Sequence, residues 1–340
     1  MSLPDTIRAM SPPRSPQIVE RALTFGDGAT LVAVTSETLP ATADAGRPAV
    51  LVLNAGIVHR IGPARNSVEL ARHIAREGFF VMRFDLSGIG DSEPRKDGLS
   101  IEEHAVVDIR QAMDHLESAR GVTRFVLVGL CSGADNSFRV AGLDPRVVGA
   151  VLIDGYGYRT REYYVRYFGR RSLKLSSYPG FARRLGGALV KRVRPGIAAL
   201  ASAAASGVRG RSSSRRREIV ETEPTAVAPV AQWQRVFPPR EVFVAELEVL
   251  VERGVKLLFI YTASVERYYN YDRQLGDCVR GLDLRGSVDA ELFENSDHTL
   301  TELASKSRLR ASTIGWLARR FPARPSPSPV LDPESPTSPS

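Results

Sequence analysis

The sequence of 340 residues has only two cysteines, Cys131 and Cys278, so it is not built on a framework of disulfide bonds. It also lacks any run of about 18 uncharged apolar residues, the length that a membrane-spanning helix requires. Its first 16 residues contain four prolines and lack the apolar centre of a secretory signal. We therefore expect a cytoplasmic protein without a transmembrane segment.

Acidic residues are almost missing from one segment of the chain. Residues 159–217 contain 16 Lys and Arg residues and a single acid, Glu162, which gives a net charge of +15. The whole chain has 46 basic and 38 acidic residues, so the remainder is acidic, with 30 basic and 37 acidic residues. Because one segment alone makes the protein basic, we predict no specific nucleic-acid binding by the surface as a whole.

Short apolar runs alternate with amphipathic stretches over most of the chain. Helical spacing occurs in 64–77, in the stretch after Ser100, and in 241–253 and 302–319. The runs typical of strands are 30–35, 49–54, 79–85, 124–129, 150–154, 256–261 and 288–293. This alternation predicts an α/β fold with a mostly parallel central sheet and helices on both faces.

The alternation of strands and helices stops after Asp154 and resumes near residue 241. We predict a core made of 21–154 and 241–320, interrupted by a basic insertion at 155–240 that is partly flexible. Residues 1–20 are predicted to form an irregular tail. Residues 321–340 are rich in Pro and Ser, cannot bury an apolar core, and are predicted to be disordered.

The segment that most strongly indicates a catalytic site is Gly129-Leu130-Cys131-Ser132-Gly133, which joins a predicted buried strand to a predicted helix. It matches the G-x-nucleophile-x-G turn, with Cys where Ser is usual. Side chains two residues before and after the nucleophile would collide on so tight a turn, so both positions need Gly. The helix N-terminus favours a thiolate and an oxyanion. We favour Cys131 as the nucleophile, with the N–H of Ser132 facing the oxyanion; Ser132 as nucleophile and a merely buried Cys131 are the alternatives.

Two further segments follow predicted strands: Asp85-x-x-Gly88-x-Gly90-x-Ser92, and AsnAlaGlyIleValHis at 54–59. Together with the glycine-flanked turn they resemble the α/β-hydrolase superfamily. They are also similar, more narrowly, to hydrolases encoded near exopolysaccharide and exosortase systems. The resemblance implies the α/β-hydrolase fold, with the insertion at 155–240 as a lid. It also implies that nucleophile, acid and histidine follow one another in that order along the chain.

The same resemblance implies the remaining residues of a catalytic triad and an oxyanion hole. His298 lies between the last predicted strand and the closing helix, the position of the catalytic base. Glu266 is the preferred acid, and Asp272 and Asp154 stay open as alternatives. Ile57 is in the position that supplies the second oxyanion N–H.

These residues predict a hydrolase that cleaves an ester or thioester through an acyl-enzyme intermediate on Cys131. The expected partner is a small-molecule acyl substrate; the basic insertion favours an anionic one, or a weak contact with an anionic membrane surface. An acyltransferase on the same scaffold and a non-catalytic α/β-hydrolase-like binding protein remain alternatives, and some relatives are serine aminopeptidases. The sequence has no phosphate loop, zinc-ligand spacing or dinucleotide fingerprint, so we predict neither a cofactor nor a metal.

Overall fold

The structure is a computed structural model that describes residues 17–39, 46–176 and 235–323. The predictions for residues 1–16, for 177–234 of the insertion and for 324–340 lie outside these ranges. The chain divides into two compact units, of which the first is Met1–Tyr163 with Phe237–Ser340 and the second is Tyr164–Val236. The part of the predicted insertion that the structure describes contains one helix, and its function as a lid stays a prediction.

One sheet of eight strands forms the centre of the first unit. The strands are β1 (Gln17–Phe25), β2 (Leu31–Leu39), β3 (Ala49–Val52), β4 (Val81–Phe84), β5 (Phe125–Leu130), β6 (Val147–Ile153), β7 (Lys256–Thr262) and β8 (Val288–Phe293). Their order is β1-β2-β4-β3-β5-β6-β7-β8. β2 is antiparallel to both of its neighbours, whereas the pairs from β4 to β8 are all parallel. The mostly parallel sheet that the sequence predicts is confirmed.

Helices cover both faces of this sheet, as predicted. In the first unit they are α1 (Asn66–Arg76), α2 (Ile101–Arg120), α3 (Ser132–Leu143), α5 (Arg240–Glu252), α6 (Gln274–Cys278) and α7 (Leu303–Arg320), whereas α4 (Arg161–Ser176) belongs mostly to the second unit. Residues of α2, α3 and α5 belong to one apolar cluster, and residues of α1 and α7 belong to a second. Among the described residues, no helix is both long enough and apolar enough to cross a membrane.

β5 shows why the central strands are continuous apolar runs. Phe125 and Leu127 belong to the cluster on one face of the sheet, and Val126 and Val128 belong to the cluster on the other. All four side chains are buried. A parallel strand with helices on both sides has no solvent-facing positions, so its sequence does not alternate between apolar and polar residues.

Two predicted boundaries need correction. β1 begins at Gln17, inside the segment predicted to be an irregular tail, and pairs with β2 along nine residues. It is an edge strand whose side chains are mostly exposed or half-buried, so it lacks the apolar run that identified the other strands. At the other end, Phe321 is buried and packs edge-on against Trp316 with ring centroids 5.8 Å apart. The core therefore extends beyond residue 320.

Candidate active site

The parallel strands bring the predicted site residues to one edge of the sheet. Leu130 and Ile153, the last residues of β5 and β6, are partners in the register of these two strands. The residues that follow them, Cys131 and Asp154, therefore leave neighbouring strands side by side. His298 lies in the loop between β8 and α7, and β8 ends at the same edge of the sheet.

Cys131 occupies a sharp turn between β5 and the N-terminus of α3. Its backbone has φ 58° and ψ −119°, a conformation that residues with a side chain rarely adopt. The turn is held on both sides: the N–H of Cys131 donates to the carbonyl of Ile153 at 2.8 Å, and its own carbonyl accepts from Ala134 N–H at 3.0 Å. The sulfur is thereby placed at the start of a helix, where the peptide dipoles favour negative charge.

The two glycines that flank this turn are required by close backbone contacts. A Cβ on Gly129 would lie 2.1 Å from the carbonyl carbon and oxygen of Gly133. A Cβ on Gly133 would lie 2.4 Å from the carbonyl oxygen of Asn54, in the loop after β3. Both distances are shorter than any real contact. The glycine spacing therefore lets the turn close on itself and lets the β3 loop approach it.

The imidazole of His298 lies between the side chains of Asp154 and Cys131. Its Nδ1 donates to Oδ2 of Asp154 at 2.7 Å, and the ring is also hydrogen-bonded to the side chain of Cys131. The Asp154 bond, followed by the Cys131 bond, raises the pKa of His298 from 6.5 to about 9, against the opposing effect of burial. His298 still has 38% of its side chain exposed, so small molecules can reach the ring.

Hydrogen bonds hold the carboxylate of Asp154 in one orientation. It is fully buried and follows directly after β6 with φ 50°. Oδ1 accepts from the N–H of Thr262 at 2.6 Å, and Oδ2 accepts from the hydroxyl of Thr262 at 2.7 Å. The N–H of Asp154 donates to the carbonyl of Ile260 at 2.8 Å. A carboxylate fixed in this way holds the imidazole of His298 in one orientation.

Of the three candidate acids, the structure places Asp154, and not the preferred Glu266, against the ring of His298. After β7 the chain makes a short 3₁₀ turn, Ala263–Val265, and Glu266 follows it at the surface. Asp272, the other alternative, is also exposed. The same turn nevertheless contributes to the site, because the hydroxyl of Ser264 accepts from the N–H of His298 at 2.8 Å. The sequence signal for Asp154 is an acid directly after a buried apolar run.

The loop after β3 lies against the beginning of α3. The hydroxyl of Ser132 accepts a hydrogen bond of 2.8 Å from the N–H of Gly56. Gly56 has φ +57° and belongs to a turn closed by the N–H of Val58 on the carbonyl of Ala55 at 3.0 Å. The side chain of Ile57 is 91% exposed. The oxyanion roles of the Ser132 and Ile57 N–H groups stay predictions.

Both ends of this loop are held by Asp85, a fully buried carboxylate directly after β4. Its Oδ1 accepts from Asn54 Nδ2 at 3.1 Å and from the N–H of Arg60 at 2.5 Å, and its Oδ2 pairs with the guanidinium of Arg60. Ser92 donates through its hydroxyl to the carbonyl of Asp85 at 2.7 Å. The sequence motif Asp85–Ser92 therefore supports the loop, and Arg60 is the contributor that sequence reasoning missed.

One group of side chains has the composition of a cation site. Single ligand atoms of His59, Asp85 and Asp91 lie within 4.8 Å of one another. The guanidinium of Arg60 pairs with both carboxylates, at 2.8 Å in the case of Asp91. Arg60 already supplies the positive charge that these acids face, so the geometry accounts for the cluster as an ion-pair network.

Comparison with known proteins agrees with this fold. Residues 49–168 match a family model described as alpha/beta hydrolase fold. A solved esterase from Pyrococcus furiosus superposes with a TM-score of 0.50 at 12% identity, over 90% of this chain and 92% of that one. The chain has the α/β-hydrolase fold.

Two other solved structures are similar to the chain at lower TM-scores. One is a Xanthomonas campestris α/β serine hydrolase without a lid, at TM-score 0.46 and 14% identity, covering 90% of this chain and 97% of that one. The other is a proline iminopeptidase from Mycobacterium smegmatis, at TM-score 0.46 and 14% identity, covering 88% and 98%. No curated protein matches the sequence significantly. Within this fold, the identity of the nucleophile has to be argued from the residues themselves.

Proposed function

We propose that this protein hydrolyses a small-molecule ester or thioester through an acyl-enzyme intermediate on Cys131. The observation that carries the proposal is the His298 imidazole, hydrogen-bonded to buried Asp154 on one side and to the side chain of Cys131 on the other. A nucleophile, a base and a carboxylate that orients the base are the parts that acyl transfer needs. The esterase similarity supports an ester substrate but is too distant to define it.

The proposed reaction begins with the thiolate of Cys131, which the imidazolium of His298 stabilises. The sulfur attacks the acyl carbon, and the negative charge that develops on the carbonyl oxygen is bound by the N–H groups of Ser132 and Ile57. The bond to the leaving group then breaks, and His298 gives its proton to the departing alcohol or thiol. The product of this half-reaction is a thioester on Cys131.

Water completes the cycle. Neutral His298 takes a proton from a water molecule, the resulting hydroxide attacks the thioester carbon, and the carbon–sulfur bond breaks. The carboxylic acid leaves, and Cys131 and His298 return to their starting state. Each oxyanion donor in such a site contributes on the order of 10²–10³ to the rate. An alcohol in place of water would make the same residues an acyltransferase.

The test uses the full chain and a short p-nitrophenyl ester, with the intact protein followed by mass spectrometry. We expect a burst of p-nitrophenol, an acyl group on the peptide that contains Cys131, and loss of both in Cys131→Ala. Cys278→Ala is the matched control, because Cys278 is buried and outside the site. Hydrolysis that survives in Cys131→Ala would contradict the proposal. Adding alcohols and comparing free acid with new ester separates hydrolase from acyltransferase.

A further inference from the structure

Ser132, the residue after the proposed nucleophile, makes a hydrogen bond through its side chain in addition to the oxyanion role proposed for its backbone N–H. Ser132 is the first residue of α3, and its hydroxyl accepts the N–H of Gly56 across 76 positions of sequence. The 2.8 Å distance is that of a normal N–H···O hydrogen bond. This bond joins the turn that carries Cys131 directly to the loop after β3.

The bond is one of three side-chain holds on that loop, beside Asp85 and the amide of Asn54, which donates to the carbonyl of Val58 at 2.8 Å. Asp85 holds its ends through Asn54 and Arg60. Between these ends the chain turns at Gly56, which has φ +57° and no atom within 4 Å of the place where a Cβ would be. The N–H of Gly56 donates to the Ser132 hydroxyl, and this bond fixes the peptide just before the N–H of Ile57.

We propose that Ser132 is a positioning residue whose hydroxyl fixes Gly56 and thereby aims the N–H of Ile57 at the acyl oxygen. The inference rests on the proposed function, and it assigns the two ends of Ser132 to separate tasks. Its backbone N–H binds the oxyanion, and its hydroxyl holds the loop that supplies the second donor. Small displacements of such donors cost rate because they act only when they are aimed at the developing charge.

The same contact argues against Ser132 as the nucleophile in this arrangement. The His298 imidazole is hydrogen-bonded to Cys131, whereas the Ser132 hydroxyl accepts from a backbone N–H of the neighbouring loop. A hydroxyl needs an adjacent base to become nucleophilic. The two neighbouring residues of the turn therefore divide attack and positioning between them.

The test compares Ser132→Ala with Ser137→Ala in the same helix. Ser137 is buried and donates to the carbonyl of Gly133 at 2.7 Å, so its variant also removes a serine hydroxyl from α3 but leaves the loop contact intact. For Ser132→Ala we expect kcat to fall roughly 10-fold, less than the 10²–10³ lost with a whole donor, while KM changes little. Ser132→Thr keeps a hydroxyl and should restore most of the rate.

A second measurement does not depend on activity. Amide hydrogen exchange at Gly56, followed by NMR, should accelerate in Ser132→Ala and stay slow in Ser137→Ala and Ser132→Thr. The rate at which iodoacetamide alkylates Cys131 should be the same in all four proteins, because the hydroxyl does not act on the sulfur. Unchanged kcat and unchanged exchange at Gly56 in a folded Ser132→Ala would overturn the inference.

Failure of the inference and failure of the proposed function give different results. If Ser132 carries the acyl group, mass spectrometry will find it on Ser132 and Cys131→Ala will keep its burst, so both are wrong. If the acyl group is on Cys131 but Ser132→Ala behaves like Ser137→Ala, the proposed function survives and only the positioning role is wrong.

Discussion

Asp154 and His298 are 144 positions apart in the chain, yet Oδ2 of one accepts a 2.7 Å hydrogen bond from Nδ1 of the other. Two structural facts produce this contact. β6 ends one residue before Asp154, at the same edge of the sheet as the end of β8. Thr262 then fixes the carboxylate with two donors, so it faces the histidine loop. A buried, oriented acid of this kind is the part of a triad that sets the tautomer of the base.

The first prediction separates Asp154 from Glu266. Asp154→Asn keeps the shape of the side chain but has one acceptor oxygen for three donors: the N–H and hydroxyl of Thr262 and Nδ1 of His298. His298 then loses its orienting partner, and we expect kcat for ester hydrolysis to fall by up to about 10⁴-fold. Steady-state kinetics with a p-nitrophenyl ester measures it.

Glu266→Gln is the matched control, because it removes one carboxylate charge from the same edge of the sheet at an exposed position. We expect its kcat to stay close to that of the unmodified protein, because Asp154, and not Glu266, is bonded to the ring of His298. The reverse result, a large loss of kcat in Glu266→Gln and a small one in Asp154→Asn, would favour Glu266 as the acid.

The second prediction concerns pH. The hydrogen bonds of His298 to Asp154 and Cys131 raise its pKa from 6.5 to about 9 in the folded protein. A raised pKa means that protonated His298 stabilises the fold. This contribution is fully present below about pH 6.5 and is lost as the pH rises through about 9. We therefore expect the difference in free energy of unfolding between the unmodified protein and His298→Gln to shrink between these values.

Urea denaturation of both proteins at several pH values measures that difference, and NMR titration of the ring measures the pKa directly. Asp154→Asn serves as the control for the cause, since without the carboxylate the pKa of His298 should return towards 6.5. An imidazole that titrates near 6.5 in the unmodified protein would show that the ring does not form these bonds in solution.

The parts of the fold that the sequence predicted are those decided by local rules. The run Phe125–Leu130 is apolar because both faces of β5 are covered, and such runs identified the central strands. The turn at Cys131 was predicted because its glycines obey a steric rule that acts within five residues. The helical spacing after Ser100 is confirmed as α2, and Ser100 and Glu103 form a capping box at its start.

The parts that the sequence missed depend on distant contacts. The first four residues of β1, up to residue 20, fall in the predicted tail because an edge strand buries little, and the pairing of β1 with β2 is not visible in its composition. The preference for Glu266 rests on the family resemblance, and the sequence does not show that a short 3₁₀ turn after β7 carries this residue to the surface. The bond from Gly56 to Ser132 joins two loops 76 positions apart, and nothing in either loop alone indicates it.

The third prediction tests the close approach at the turn with two glycines of α3. Gly133→Ala places a Cβ 2.4 Å from the carbonyl oxygen of Asn54, a backbone atom that moves only with its loop. We expect a loss of about 1–3 kcal/mol in the free energy of unfolding, as overpacked sites show. Gly142→Ala meets no atom within 4 Å and should instead gain about 0.5–1 kcal/mol, because alanine favours the helix.

Urea denaturation of the two variants measures both changes in the free energy of unfolding, and we expect them to have opposite signs. Gly133→Ala should also lose activity, since the displaced Asn54 begins the loop that carries Gly56 and Ile57. If Gly133→Ala is as stable as the unmodified protein, the loop after β3 does not approach the turn as closely as this structure has it.

The fourth prediction compares the two carboxylates that face Arg60. Asp85 is fully buried and Asp91 is 59% exposed, while the Arg60 side chain is only 12% exposed. Asp85→Ala leaves Arg60 and the amide of Asn54 without their buried acceptor, and breaking such a pair costs about 3–5 kcal/mol in the free energy of unfolding. Asp91→Ala removes an exposed partner of the same guanidinium and should cost less than about 1 kcal/mol.

Urea denaturation again measures the stabilities, and the kinetics of the two variants show whether Asp85 acts through the loop. Because Asp85 holds both Asn54 and the N–H of Arg60, its removal should release the loop that carries Ile57 and lower kcat under conditions where the protein is still folded. Asp91→Ala should leave kcat unchanged. Equal losses in the two variants would mean that the network serves Arg60 alone, and that Asp85 has no separate hold on the loop.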